Sequence, residues 1–309
     1  MDTNSIAVLQ SDGYQTKLYP HLTEKEVLGS ILILHGMAEY HVRYEAFAAA
    51  LNKAGFDVYL YNHRGHGDDC APDDLGFFAE KDGAARVIED AVTLCRYIKE
   101  HGRSDKFAAF GHSMGSLILR NVIQTYDEMD CAVICGSTMP PAAVANAGAL
   151  LANLLCRTKG PRSRSPFLHN MMFGNNYYKE TCTRTPSDWL TRDETIVDWY
   201  NDSPYCGFLC TTAMYRDMMV FLQGSGNPKK IAKTRHDLPL YFVVGEKDPV
   251  SNYSVQVEQL FRLYEKLGFS DIALSVYPEA RHEILNELNK EDVIDDLIAF
   301  FHAKLQPSA

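Results

Sequence analysis

Ser113 lies midway between two glycines in the run Gly111-His112-Ser113-Met114-Gly115. A serine hydroxyl is a poor nucleophile until a neighbouring base removes its proton, so a reactive serine must stand exposed within reach of an imidazole. The flanking residues suit such a display. Phe107-Ala108-Ala109-Phe110 reads as a buried strand, and Ser116 to Ile123 carries apolar residues near a helical period. Glycines two residues to either side let strand and helix approach closely. The five-residue pattern alone recurs by chance; in a strand–turn–helix setting it marks a nucleophile.

A base and an orienting acid are needed next. Asp248 follows the apolar run Leu240 to Val244, and His282 follows Ile272 to Tyr277. Like Ser113, both fall beyond the carboxyl end of an expected strand, where open α/β sheets bind ligands. Asp237 is a rival acid, but it precedes its strand and falls at the opposite end. His302 is a rival base, but it lies inside a closing helix beside Phe300 and Phe301. The oxyanion formed by attack on a carbonyl needs aimed N–H donors. The backbone of Met114, directly after the serine, and that of Met37, in the loop His35-Gly36-Met37-Ala38-Glu39, are the expected pair.

The elements that must position these groups are legible as alternating patterns. Apolar runs at Ile31–Leu34, Phe56–Tyr61, Phe107–Phe110, Ala132–Cys135, Leu240–Val244 and Ile272–Tyr277 lack polar alternation, as strands buried on both faces do. Helical patterns cover Arg43–Ala54, Asp82–His101, Asn252–Leu267 and Glu291–Leu305. Ahead of them, Ile6–Gln10 and Tyr14–Tyr19 flank Asp12-Gly13, a hairpin signal. Two antiparallel strands and six parallel ones make an eight-stranded α/β sheet. From residue 136 to 236 the alternation stops. This segment, rich in methionine and aromatics, reads as a helical cap inserted into a core formed by 1–135 and 237–309. An alanine-rich helix from about Pro141 to Leu155 is its expected lid.

Charge separates the same two parts. The chain carries a net −10, which argues against a nucleic-acid partner. The cap nevertheless holds 12 Lys/Arg against 7 Asp/Glu. Pairing with the acidic core is the plain explanation; a basic face for anionic substrates or transient membrane-surface contact, carried by Arg157, Lys159, Arg162 and Arg164, is the sharper one. The uncharged stretch Cys131–Cys156 is too interrupted by Pro and Gly for a spanning helix. The N-terminal residues show no signal-peptide pattern, so the expected location is cytoplasmic, with eight reduced cysteines. Cys131/Cys135 and Cys206/Cys210 lack finger-like partners and read as core residues rather than zinc ligands. His63-Arg64-Gly65-His66-Gly67-Asp68-Asp69 reads as a structured loop rather than a metal site. No Gly-rich dinucleotide fingerprint follows a strand. No metal and no cofactor is expected.

Together these residues resemble the α/β-hydrolase superfamily, whose triad follows the chain order Ser, Asp, His seen here. The closest likeness is to the monoacylglycerol lipase and lysophospholipase family. It rests on His35-Gly36-Met37-Ala38-Glu39-Tyr40-His41-Val42-Arg43-Tyr44, His63-Arg64-Gly65-His66-Gly67, the serine block, Gly245-Glu246-Lys247-Asp248-Pro249-Val250 and Ala280-Arg281-His282-Glu283. The resemblance implies a cofactor-independent carboxylic-ester hydrolase acting on a small-molecule ester or lipid. It also implies that Glu39 and Arg43, with His112, form the polar end of the pocket; a structural salt bridge is the equal alternative for the first two. Asn62 departs from the family's usual aspartate, a change expected to alter loop hydrogen bonding. The same triad would serve an aminopeptidase, a thioesterase or a carbon–carbon hydrolase. A non-catalytic binder has no need of it.

Overall fold

The computed structural model describes residues 5–174 and 184–305. Eight strands form one sheet: β1 (Ile6–Leu9), β2 (Gln15–His21), β3 (Gly29–Leu34), β4 (Phe56–Tyr61), β5 (Phe107–His112), β6 (Cys131–Cys135), β7 (Leu240–Gly245) and β8 (Ile272–Tyr277), in the order β1-β2-β4-β3-β5-β6-β7-β8. β3 to β7 are buried on both faces, as their unbroken apolar runs require. β8 is an edge strand and half-exposed along most of its length. The expected pair of antiparallel strands resolves into one. β2 runs against both β1 and β4, so β1 points the same way as the other six. The turn between β1 and β2 closes through Gln10 and Tyr14, with Gly13 at φ +85°.

Helices cover both faces. α1 (Glu45–Lys53) lies on one side with the C-terminal helix (Lys290–Leu305). α2 (Gly83–His101) and α3 (Met114–Val122) lie on the other. Phe110 and Val133 point into the first layer, Ala109 and Ile134 into the second, the alternation expected of a strand covered twice. Truncating a core side chain such as Phe242, which is fully buried, would cost about 3–5 kcal/mol.

Between β6 and β7 come α4 (Ala142–Lys159), α5 (Pro166–Phe173), α6 (Glu194–Asp202), α7 (Thr212–Ser225) and α8 (Pro228–Ile231). α5, α6 and α7 each begin on a side-chain cap, from Ser165, Asp193 and Thr211. α7 packs on α2 and α3, and α4 packs on α7. After β7 comes α9 (Val255–Lys266), and the C-terminal helix completes the series as α10.

Candidate active site

Ser113 sits on the turn between β5 and α3 with φ 53° and ψ −118°. A non-glycine residue in this region is strained, and such strain persists only where the surroundings impose it. They do so here. The Ser113 N–H donates to the Cys135 carbonyl at 3.0 Å, and the Ser116 hydroxyl donates to the Ser113 carbonyl at 2.6 Å. A Cβ on Gly111 would stand 2.6 Å from the Gly115 carbonyl oxygen, and one on Gly115 would overlap that of Leu34. The bend therefore needs both glycines. Among the described residues the half-buried Ser113 hydroxyl makes no hydrogen bond.

Asp248 and His282 leave the adjacent strands β7 and β8 and meet behind the serine. His282 Nδ1 lies 3.0 Å from Asp248 Oδ1, which also accepts from the Val250 N–H at 2.8 Å. Both side chains are buried. With Nδ1 held by the carboxylate, Nε2 is the nitrogen left for chemistry. Ser113 and His282 line one cavity of about 170 Å³, together with Met37, Glu39, His112 and Trp189.

The N–H groups of Met37 and Met114 have no acceptor among the described residues. Around Met37, four backbone groups are satisfied by three buried imidazoles. His35 Nδ1 donates to the Gly36 carbonyl (2.7 Å), and His63 Nε2 donates to the His35 carbonyl (3.1 Å). The Ala38 N–H donates to His66 Nε2 (3.2 Å), and the His63 N–H donates to His35 Nε2 (3.0 Å). Rings that accept an N–H must be neutral at that nitrogen. Burial keeps them so, lowering His66 to about 4 and His35 to about 3. The histidines of the 63–69 loop thus brace the loop bearing Met37, and among the described residues no three metal-ligating side chains converge.

Arg43 links the two loops that flank Ser113. Its Nη1 lies 2.6 Å from Glu39 Oε2, and it grips Glu283, the residue after His282, through two bonds of 2.5 and 2.6 Å. Tyr200 lies against the guanidinium at 5.0 Å, and Arg43 is only 2% exposed. Burial opposes the charge on Arg43, yet Glu283 and Glu39 outweigh it and raise its affinity for the proton. Burial likewise opposes the charge on Glu39, but Arg43 and His112 hold its carboxyl well below the usual range. Glu39 Oε1 also accepts from the Gly36 N–H and the Tyr44 hydroxyl. His112 is raised above its ordinary value because Glu39 outweighs burial; its Nε2 donates to the His282 carbonyl at 3.3 Å.

The expected residues therefore fall into two groups. Ser113, His282, Met37, Glu39 and His112 share one cavity, with Asp248 directly behind His282. Arg43 does not line that cavity, and its contacts are those of an internal ion pair. Sequence reasoning missed Glu283 as the second partner of Arg43; the signal available was a carboxylate adjacent to His282. It also missed Trp189, whose ring lies 5.2 Å from that of His282. Asn62 takes part in the loop bonding: Oδ1 accepts from the His41 N–H and Nδ2 donates to Asp69. An aspartate there would face a second carboxylate.

Residues between β6 and β7 also reach this region. The His282 N–H donates to the Trp189 carbonyl (3.4 Å), and the Glu283 N–H to that of Leu190 (2.7 Å). Arg192 pairs with Glu287 at 2.7 Å. Farther along, a second cavity of about 620 Å³ opens from Ser113, Met37 and Met114 and runs between α4, α5 and α7. Its wall is largely apolar, with Leu117, Leu151, Leu168, Met171, Met218 and Met219 among the lining.

A mostly parallel eight-stranded sheet carrying its candidate serine on the turn into α3 makes this chain an α/β-hydrolase. More narrowly, the chain belongs to the family described as Serine aminopeptidase, S33, whose model matches residues 25–289. A curated relative is the monoacylglycerol lipase of Mycolicibacterium smegmatis, 26% identical over 289 residues, spanning 90% of this chain and 89% of the relative. A carboxyl esterase from Bacillus coagulans, solved with glycerol, superposes with a TM-score of 0.88 at 23% identity, covering 98% of each chain. A soluble variant of the Saccharomyces cerevisiae monoglyceride lipase, solved with a substrate analogue, gives 0.76 at 20% identity, covering 99% of this chain and 98% of the other. The fold and family expected from the sequence are borne out.

Proposed function

We propose that this protein is a serine hydrolase of carboxylic esters, with a monoacylglycerol or lysophospholipid as substrate. Ser113 Oγ bonds to the acyl carbon as its proton passes to His282 Nε2, while Asp248 stabilises the imidazolium. The N–H groups of Met37 and Met114 hold the oxyanion. Return of the proton to the leaving oxygen releases the alcohol, and water then cleaves the acyl-enzyme by the same route.

One observation carries this reading. Ser113 stands where an apolar cavity of about 620 Å³ meets a smaller, more polar one of about 170 Å³. A fatty acyl chain suits the first and a hydroxylated head group the second. The activities named for the curated relative and the solved neighbours agree with it.

The family description raises aminopeptidase action as the second reading. A free α-amino group would call for an available carboxylate beside the serine. The two acids lining the smaller cavity, Glu39 and Glu283, are both engaged by Arg43. That weighs towards esters.

Residues 136–236 act in this scheme as one cap, which also offers contact with a membrane surface. Val144, Leu150, Leu154, Phe167 and Met171 are exposed there, beside the exposed Arg157 and Lys159. Arg162, by contrast, pairs with Asp74 and Glu80 of the body. Among the described residues no helix is long and apolar enough to cross a membrane. Among the described residues seven cysteines are free thiols, in keeping with a cytoplasmic setting.

The decisive experiment compares wild type and Ser113→Ala on monoacylglycerol, acyl thioester and aminoacyl anilide. The ester should be turned over fastest, and the variant should lose up to a factor on the order of 10⁶. Near-normal ester turnover by the folded variant would refute the assignment, faster anilide turnover would favour the peptidase, and failure of wild type to label with a fluorophosphonate would favour a binder.

A further inference from the structure

Gly148 occupies the middle of α4, where glycine is less favourable than alanine because it gives up more backbone freedom on folding. Its backbone is not left-handed, so conformation does not call for glycine. A neighbour does. A Cβ at Gly148 would stand 2.6 Å from Met219 Sδ and 3.4 Å from its Cγ, and Met219 belongs to α7 across the interface. Ala145 and Ala152, three residues before and four after, are buried on the same helical face. α4 thus turns its small side towards α7, and the thioether of Met219 lies in the space left by the missing methyl. Both Gly148 and Met219 line the cavity of about 620 Å³.

We propose that the Gly148–Met219 contact sets the length of acyl chain this cavity accepts, an inference resting on the ester-hydrolase reading of the site. Methionine is unbranched, with three rotatable bonds, so it yields where a packed backbone does not. A methyl group at position 148 closes the space beside α4. The displaced thioether then swings into the cavity, where it takes the volume of the distal methylenes of a long chain. A short acyl group, held close to Ser113, does not reach that far.

The test measures kcat/KM for p-nitrophenyl butyrate, laurate and palmitate, and in parallel the affinity for free laurate by calorimetry. Gly148→Ala should lower the laurate-to-butyrate ratio about tenfold, as expected when one or two methylenes are driven from apolar contact. Met219→Ala should raise the palmitate-to-laurate ratio, and Gly148→Ala/Met219→Ala should recover laurate turnover. Laurate affinity should follow the same order. Wild-type ratios and laurate affinity in Gly148→Ala, or no recovery in the double variant, would overturn the proposal. Should Gly148→Ala not fold, an unchanged palmitate-to-laurate ratio in Met219→Ala would do so. If no ester is hydrolysed by any form, the ester-hydrolase reading fails, and laurate affinity alone still decides whether Gly148 and Met219 gate the cavity.

Discussion

Replacing Arg43 with methionine removes the one cation that two buried carboxylates share. Glu39 would keep three partners, the Gly36 N–H, Tyr44 and His112. Among the described residues Glu283 would keep the Asn286 amide, at 3.1 Å. Both acids are 4% exposed. Breaking a buried pair by removing one partner costs about 3–5 kcal/mol, because the charge left behind is neither solvated nor neutralised. The sign with pH follows. In wild type the depressed Glu39 carboxyl contributes stability that is present above its unfolded value and lost as pH falls through the folded one. Without Arg43 the stranded Glu39 carboxyl shifts upward instead, takes up a proton in the folded state, and loses its penalty as pH falls. Urea unfolding should therefore show the gap between wild type and Arg43→Met to be widest at pH 8 and narrower at pH 5. Arg43→Met/Glu283→Gln should close much of it at pH 8. Glu39 and Glu283 adjoin the Met37 loop and His282, so ester turnover should also fall, on the order of 10²-fold for a displacement near 1 Å. A gap below about 1 kcal/mol, or one equal at both pH values, would refute the reasoning.

Two further outcomes are expected. His66 faces the His35 and His63 rings, Phe78, Phe208 and the Ala38 N–H, and titrates near 4 rather than 6.5 because it is buried. The stability it contributes is complete above pH 6.5 and falls by about 3 kcal/mol as pH drops towards 4, so unfolding experiments on His66→Phe should show a shallower acid decline; parallel declines would contradict this. On the cap, Leu150→Glu/Leu154→Glu should abolish co-sedimentation with anionic phosphatidylglycerol vesicles, and wild-type binding should weaken with salt; equal pelleting of both proteins would dismiss the membrane contact.

What the sequence revealed, it revealed through periodicity. The runs at Ile31 and Phe107 became the sheet centre because nothing polar interrupts them, and Asp12-Gly13 marked the turn between β1 and β2. Patterns weakened where geometry depends on the backbone alone. The helix expected from Asn252 begins at Val255, since Asn252, Tyr253 and Ser254 all adopt positive φ. That expected from Arg43 opens as a 3₁₀ turn over His41–Tyr44 before α1. Between β6 and β7, methionines and aromatics pack against several partners at once, and no single period exposes α5 to α8. In the site, Ser113, Asp248 and His282 were legible because each follows a strand. The tie from Arg43 to Glu283 spans 240 residues and has no local trace.

The bonds from Trp189 and Leu190 to the histidine loop divide the inserted region into unequal halves. One half is stapled to the His282 loop and cannot be lifted without dragging the imbibed imidazole along. Among the described residues, α4 and α5 make no backbone hydrogen bond to that loop. A chimaera that grafts a donor's α4–α5 between Pro141 and Gly174 should leave the reaction geometry intact, whereas a graft crossing into 187–192 must bring its own matching loop after β8.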